Sequence, residues 1–588
     1  MTDVRSLLSQ ALSSALDAVC PGHALTVPSV SACHDARYGD YQSNVAMLVA
    51  AAGNLAPREL AASVAGALRL EDLCAKVEVA GPGFINFHLR PSRIAALIAE
   101  MAADPHNGIA SAANPRRIVV DFSSPNTAKA MHVGHIRSTF LGDALARFAR
   151  AVRHEVITDN HVGDWGAQFG MLIHGYNTRL DREAEKRDPV AEFERLYREV
   201  SQESSRNEET REKARRELAA LHAGEAESVE VWKKIAELSL AEFEKLYRRL
   251  GVRFDHCLGE SFYNPSLPEV VAELRRLGIA EESEGAICVF FREDPVLKDA
   301  APMMIRKKDG AFLYATTDLA TLRHRAREWR ADEILYVTDA RQKLHFQQIF
   351  AAAEKWAGAP GNSLLASADA RLPRLRHIVF GSVLGADKKP IKTRSGDPIK
   401  LADLLDEAEA RALKIIEKKN PALSAEARRA AARVLGIGAV KYADLCQNRN
   451  LDYVFDWNKL LALQGNTAPY LIYAYVRIRS IFRQGGIAPL GQTLPPPSVL
   501  SHDAELALAK KLIQFGDTVH AVLDDCRPHL LAGYLYELST RFSRFYETCP
   551  VLKAAEPDRG ARLLLCDLTA RVLQRGLGLL GIETIEEM

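Results

Sequence analysis

Residues 117–160 constrain the fold of this chain more than any other stretch. The run RIVVDFS (117–123) is apolar through its centre, as a strand buried on both faces must be. After a polar loop, HIRSTFLGDALARFARAV carries apolar residues at helical spacing, and HEVITDN (154–160) reads as a second strand. Strand, helix and strand in that order form a crossover unit. It predicts a parallel sheet that binds its ligand at the carboxyl ends of the strands. Two later runs, ADEILYVTDA and RHIVFGSVLG, predict the other half of the same sheet.

At 588 residues the chain exceeds one core and predicts about three or four domains. Residues 1–110 predict a small α+β domain, with LLSQALSSAL helical and VEVAGPGFINFHL a hairpin turning at Gly81-Pro82-Gly83. The stretch HNGIASAANPRR is a linker. Residues 111–401 hold the parallel sheet, interrupted at about 177–257 by a charged helical insertion. Its charge runs read as solvated helix faces, with RNA contact as the alternative. Residues 402–460 predict a helical linking region and 461–588 a further helical domain, which contains the proline-rich break GGIAPLGQTLPPPSVL.

Composition narrows the class. A net charge of +1 neither suggests nor excludes a polyanionic partner, which would need local basic faces. Nine scattered cysteines without a C-x-x-C pair predict free thiols in a reducing cytoplasm. The N-terminus lacks the pattern of a signal peptide, and no apolar run approaches the roughly 20 residues that span a bilayer.

The chemistry concentrates in MHVGHIRST (131–139). His132 and His135 straddle Gly134, and three readings are open: a metal site joined by His161 and Asp164, a structural pair, or a phosphate site. Position favours phosphate. The pair follows a strand and opens a helix, where free backbone N–H groups and the helix dipole attract an anion. Gly134 leaves room for a nucleotide against the backbone. No G-x-x-x-x-G-K-[ST] and no strand-linked G-x-G-x-x-G is present, and GIGAVKY (436–442) reads as close helix packing. After the second pair of strands, ADKKPIKTRSGDPIKL (386–401) groups Lys388, Lys389, Lys392, Arg394 and Lys400. Such a loop is either a solvated basic segment or a device that neutralises a departing pyrophosphate.

HVGH before a helix, with a K-T-R-S loop in the second half of a split sheet, resembles the class I aminoacyl-tRNA synthetases. The strings SSPNTAKAMHVGHIRST, NHVGDWGAQFG, GESFYNP, YATTDLA and QGNTAPYLIYAYVRIRSIF resemble the arginyl-tRNA synthetase family in particular. The resemblance runs from YGDYQSN to LLGIETIEEM, essentially the whole chain. It implies a multidomain α/β protein: a Rossmann-like parallel-sheet catalytic domain with a helical insertion, an N-terminal domain touching the tRNA body, and an all-helical anticodon-binding domain. It also implies a two-step cytoplasmic reaction with ATP, Mg²⁺, L-arginine and the cognate arginine tRNA, with activation that depends on tRNA. The chain is expected to act as a monomer without a membrane.

By the same resemblance, Glu260, Tyr314 and Asp318 recognise the arginine side chain, and Asn126 and Gln342 hold its α-groups. A guanidinium is a planar, permanent cation that calls for such carboxylates. Lysine leaves acceptors unpaired at roughly 1–3 kcal/mol each, and neutral citrulline is rejected for want of charge. Taken singly, Asp318 reads as a helix N-cap, Tyr314 as core and Asn126 as turn chemistry; their joint occurrence at family spacing favours the site. His132, Gly134 and His135 are expected at the ATP phosphates, with Lys392 and Arg394 on the pyrophosphate. The sequence K-P-I-K-T-R-S departs from the class pattern K-M-S-K-S in its second lysine, and Lys129 is expected to supply that cation. Residues 461–588 balance 13 Lys and Arg against 13 Asp and Glu, so no basic face stands out. Tyr473, Arg477, Arg479 and Arg541 are the RNA-contact candidates, with helix packing as the alternative. The competing readings are a different nucleotidyltransferase of the H-x-G-H type and a non-catalytic RNA-binding relative.

Overall fold

The computed structural model describes all residues except 1–2, 24–27, 34, 366, 368–369, 386, 390, 392–398 and 489–499. The chain divides into two compact units, one of Met1–Ala112, Ile416–Leu435 and Leu461–Met588, the other of Ala113–Ile415 and Gly436–Leu460.

In the first unit, helix Val4–Val19 starts where the Asp3 side chain accepts the Arg5 amide. Strands β1 (Ser31–Ala32), β2 (Tyr41–Ser43), β3 (Cys74–Ala80) and β4 (Phe84–Leu89) pair antiparallel in the order β1-β2-β4-β3. The β3–β4 hairpin turns at Gly81-Pro82-Gly83 as its sequence predicts. Gly83 has φ +137°, and a Cβ there would lie 2.9 Å from the Pro57 carbonyl, so only glycine is accommodated. Helices Ala468–Gln484, Asp503–Ile513, Phe515–Asp525, His529–Thr548 and Asp558–Leu579 form the carboxyl-terminal part. Helix Pro91–Ala103 packs on Asp503–Ile513, and Lys510 reaches buried Asp40 at 2.7 Å.

The second unit is built on the expected crossover. β5 (Arg117–Asp121) leads into helix Ile136–Ala151 and then β6 (Glu155–Asp159). A small antiparallel sheet of β7 (Ala280–Ser283), β8 (Ala286–Val289) and β9 (Met303–Arg306) follows. Then β10 (Glu333–Tyr336) and β11 (Arg374–His377) join β5 and β6 in a parallel sheet of order β11-β10-β5-β6. Val119, Ile334 and Tyr336 of this sheet are buried against Leu319, Phe346, Ile349 and Trp356.

The run RHIVFGSVLG does not continue as one strand. After β11 the chain leaves the sheet, and β12 (Val383–Leu384) pairs in parallel with β13 (Tyr453–Val454). Gly381 lies flat against this second partner, where a Cβ would sit 2.6 Å from the Leu451 carbonyl carbon. Its amide is bonded to the Arg449 carbonyl at 2.9 Å.

The inserted helices Gln168–Arg179, Pro189–Ser204, Glu208–Ala223 and Ala226–Leu250 bury Phe169, Ile173, Phe193, Leu196, Leu221 and Ile235 in a core of their own. Many of their charges form carboxylate–guanidinium or carboxylate–ammonium pairs, such as Arg195 with buried Glu192 and with Glu199. Helices Leu401–Lys419 and Ala425–Leu445 cross over closely at Gly436, where a Cβ would lie 2.8 Å from the Ala408 backbone. Among the described residues, no helix is long and apolar enough to cross a membrane.

Candidate active site

The loop after β5 carries the histidine pair. Ser123, Ser124 and Ala128 take positive φ there, and Asn126 forms a bridge with Gly163 beyond β6. Gly163 must be bare: a Cβ would fall 2.1 Å from the Asn126 side-chain oxygen. Val133 and Leu401 donate to the Ile399 and Met131 carbonyls at 3.0 and 2.9 Å, and His132 bridges Lys400. The loop is thus held on both flanks before helix Ile136–Ala151 begins.

Hydrogen bonds fix how the two histidines present themselves. The Gly134 amide donates to His132 Nδ1 at 3.0 Å, and the His132 amide donates to His135 Nδ1 at 3.1 Å. An Nδ1 that accepts a backbone N–H leaves the ring proton on Nε2, so each imidazole offers one Nε2–H donor. Burial holds both below the usual histidine range, His135 down to about 4 with His132 adding to the effect. Both rings are therefore neutral donors near pH 7, with centroids 4.2 Å apart. The geometry suits developing charge on phosphate oxygens. Of the partners named in the metal reading, His161 is bonded through Nδ1 to the Leu258 carbonyl, and Asp164 accepts from the Ser261 hydroxyl and amide. Among the described residues, no three His, Cys, Asp or Glu side chains converge as a metal site.

Beyond β6, three acidic side chains cluster. The Glu260 amide bonds to the Val162 carbonyl at 3.1 Å, and Gly259 admits Asp164, whose carboxylate carbon would lie 2.3 Å from a Cβ. Burial first, and then the neighbouring Asp164 and Asp318, push the Glu260 carboxyl up to about 8. Neither Glu260 nor Asp164 forms an ion pair among the described residues. Asp318 accepts from His345 Nε2 at 2.6 Å. Burial opposes a charge on that imidazole, but Asp318 outweighs it and holds His345 above its ordinary range. Glu260, Asp164 and Asp318 thus form a cluster of three carboxyls, with His345 on Asp318 as the cation paired to it.

Two of the single-residue alternatives, the Asp318 N-cap and the Tyr314 core position, do not hold in this structure. Leu313, not Asp318, caps helix Tyr314–Arg327, and Asp318 lies one turn inside it. Tyr314 is 65% exposed rather than core; burial of its hydroxyl and the Glu260 carboxyl raise its pKa. Asn126 and Gln342 are both exposed, Gln342 at the end of the turn Ala340–Gln342. Lys129 is exposed, its ammonium 5.6 Å from the Tyr197 ring centre. Lys392 and Arg394 lie outside the described residues.

Sequence reasoning passed over an anchor at the carboxyl ends of β5 and β6. Arg325, fully buried on helix Tyr314–Arg327, pairs with Asp121 at 2.8 Å and Asp159 at 2.7 Å. These aspartates face each other at the carboxyl ends of β5 and β6. Arg137, 2% exposed, pairs with Asp444 at 2.8 Å and donates to the Leu451 carbonyl, which ties the helix after the histidines to the segment 436–460. Nothing local in the sequence links partners so far apart. In the stretch Val379–Val383 the Val379, Gly381 and Ser382 backbone groups are engaged by residues 449–453.

Comparison with known proteins decides the family. Residues 98–457 match the family described as tRNA synthetases class I (R), catalytic domain; residues 2–89 match the arginyl tRNA synthetase N-terminal domain and 471–588 the DALR anticodon-binding domain. The chain belongs to the arginyl-tRNA synthetase family. Its relatives in that family include the arginine–tRNA ligase of Synechococcus elongatus, 44% identical over 97% of this chain and 96% of the relative. That of Hahella chejuensis is 44% identical with both chains fully covered. The crystal structure of the arginyl-tRNA synthetase from Plasmodium falciparum aligns over the whole of both chains with a TM-score of 0.82 at 28% identity.

Within the DALR domain of this arginyl-tRNA synthetase family member, the RNA-contact candidates diverge. Tyr473 is 48% exposed, and the Arg477 guanidinium lies 4.6 Å from the Tyr546 ring centre. Arg479 is instead paired with Glu586 at 2.8 Å, beside buried Tyr475, which donates to the same carboxylate. Arg541 donates to the Ala507 carbonyl at 3.3 Å. Packing accounts for these last two.

Proposed function

We propose that the chain is an arginine–tRNA ligase acting in protein synthesis. It joins L-arginine to ATP, releases pyrophosphate, and passes the arginyl group to the 3′ end of its cognate tRNA. Two observations carry this reading: the cluster of Glu260 with Asp164 and Asp318, and the pair of neutral Nε2–H donors in the loop after β5. The cluster takes the guanidinium; Tyr314 closes over it, and Asn126 and Gln342 hold the α-groups. The arginine carboxylate, already ionised at pH 7, attacks the α-phosphorus without a general base. His132 and His135 donate to the oxygens on which charge builds, Gly134 leaves space for the nucleotide, and Lys129, Lys392 and Arg394 attract the leaving group. Losing one such donor costs about 3–4 kcal/mol of barrier. Mg²⁺ enters with ATP, bound by its phosphate oxygens. Tyr473 and Arg477 are the RNA contacts with exposed or available surfaces; Arg479 and Arg541 serve packing first. The enzyme works in the cytoplasm as a monomer, which sedimentation of the purified protein tests.

Arginine-dependent ATP–pyrophosphate exchange, run with and without arginine tRNA, tests the reaction. Exchange that requires tRNA supports both the activity and the tRNA-dependent activation implied by the family. Exchange without tRNA keeps the activity and removes that dependence. Folded protein that neither exchanges nor charges tRNA would return the chain to an RNA-binding role.

A further inference from the structure

The helical insertion contributes to the site in a way that the histidine and acidic residues do not require. A cavity of about 370 Å³ opens beside His132, lined by Lys129, Glu194, Tyr197, Arg198 and Lys400 among others. Glu194, Tyr197 and Arg198 come from helix Pro189–Ser204 of the insertion. Three cations therefore border one hollow next to the first histidine.

Among the described residues those cations are without carboxylate partners, against the habit of their surroundings. On the same helix Arg195 pairs with Glu192 and Glu199, and Arg179, at the end of helix Gln168–Arg179, pairs with Glu203. Lys129, Arg198 and Lys400 form no ion pair among the described residues. Glu194 and Arg198 stand four apart in the order that favours an intrahelical pair. The Glu194 carboxylate is drawn elsewhere: it accepts the Ala130 amide at 2.8 Å, two residues before His132. That bond ties the histidine loop to the insertion and leaves the Arg198 guanidinium for another anion. The Lys129 ammonium lies 5.6 Å from the Tyr197 ring centre on the wall of the same cavity.

We propose that this cavity receives the pyrophosphate released from ATP, and that Arg198 is a phosphate-binding residue of the reaction, supplied by the insertion and assisted by Lys400. The assignment rests on the aminoacylation reading and deepens it. As the arginine carboxylate oxygen bonds to the α-phosphorus, the bond from that phosphorus to the bridging oxygen breaks. The electron pair stays on the bridging oxygen, so the pyrophosphate gains one negative charge and no proton moves. His132 meets the phosphate at which the bond breaks, and the neighbouring cations meet the charge that departs. The bidentate fork of Arg198 suits a diphosphate better than a single ammonium does.

The test measures the KM for pyrophosphate in ATP–pyrophosphate exchange with tRNA present, for the wild type, Arg198→Ala, Arg198→Lys and Lys400→Ala. Loss of one exposed charge-assisted contact should raise that KM by about tenfold in Arg198→Ala. The KM for arginine should stay within about twofold, and Arg198→Lys should recover part of the loss. Circular dichroism and melting should match the wild type, because Arg198 is exposed. An unchanged pyrophosphate KM in Arg198→Ala, in an enzyme whose wild type charges tRNA, overturns the proposal and leaves the ligase reading intact. A defect confined to the KM for tRNA also overturns it, and would give the cavity to the RNA end. A wild type that fails to exchange or charge removes the ligase reading itself, and this assignment with it.

Discussion

Substituting Glu260 by Gln should make the free protein more stable and the enzyme worse at holding arginine. In the free protein the Glu260 carboxyl is pushed up to about 8, by burial first and then by Asp164 and Asp318. A carboxyl raised above its unfolded value contributes fully only below that unfolded value, near 4.5, and its contribution is lost as pH rises toward 8. At pH 7 the folded protein therefore holds a proton that the unfolded chain has released. The gap of about 2.5 units from the unfolded value to pH 7 corresponds to an upper bound of about 3 kcal/mol against folding. Glutamine removes this penalty, so Glu260→Gln should unfold at higher temperature or denaturant than the wild type at pH 8, with the difference vanishing toward pH 4. Arginine binding reverses the balance, because a guanidinium favours the ionised carboxylate. Near pH 7 the wild type should release up to about 0.9 proton on binding arginine, and affinity should rise as pH increases toward 8. Calorimetry in buffers of different ionisation enthalpy reads the proton directly. Glu260→Gln should release none from this group and bind arginine at least about tenfold more weakly, as loss of a charged partner requires. Equal proton release in the two proteins, or a variant less stable at pH 8, would refute the reasoning.

Three further outcomes follow from the same geometry. Gly134→Ala places a methyl 2.7 Å from the His132 ring carbon Cε1 and should lower kcat by about 10- to 100-fold by displacing the Nε2–H donor, with melting unchanged because the position is exposed. Arg325→Met strands Asp121 and Asp159 in the core and should cost about 3–5 kcal/mol in denaturant unfolding, part of it recovered by adding Asp159→Asn; a neutral single variant would dismiss the anchor. His135, held down to about 4 chiefly by burial, contributes stability that is complete above pH 6.5 and lost as pH falls toward 4, so His135→Asn should flatten that part of the acid-stability curve, and a His135 NMR titration near 6.5 would contradict it.

Much of the architecture was legible because it depends on local pattern. The crossover of β5, helix Ile136–Ala151 and β6 follows from apolar runs and helical spacing within about 45 residues. The hairpin at Gly81-Pro82-Gly83 and the helix contact at Gly436 follow from residues whose missing side chains serve one purpose each. The family was legible too, since His132, His135, Glu260 and Asp318 stand in strings long enough to mark it.

What the sequence could not contain was who meets whom at a distance. The run RHIVFGSVLG has the apolar content of a single strand, yet residues 449–455 compete for its second half and draw it out of the sheet. The arginines of YVRIRSIFR look alike in sequence, but Glu586 neutralises Arg479 while Arg477 rests on a tyrosine ring. The same holds for Arg325 with two strand-end aspartates, and for Glu194 with the Ala130 amide. Sequence determined the sheet, the insertion and the chemical vocabulary of the site, because hydrophobic period and motif spacing are local quantities. Tertiary structure alone decided the protonation of Glu260, the tautomers of the histidines and the cations left unpaired, because charge and burial depend on neighbours that the chain brings together only when folded.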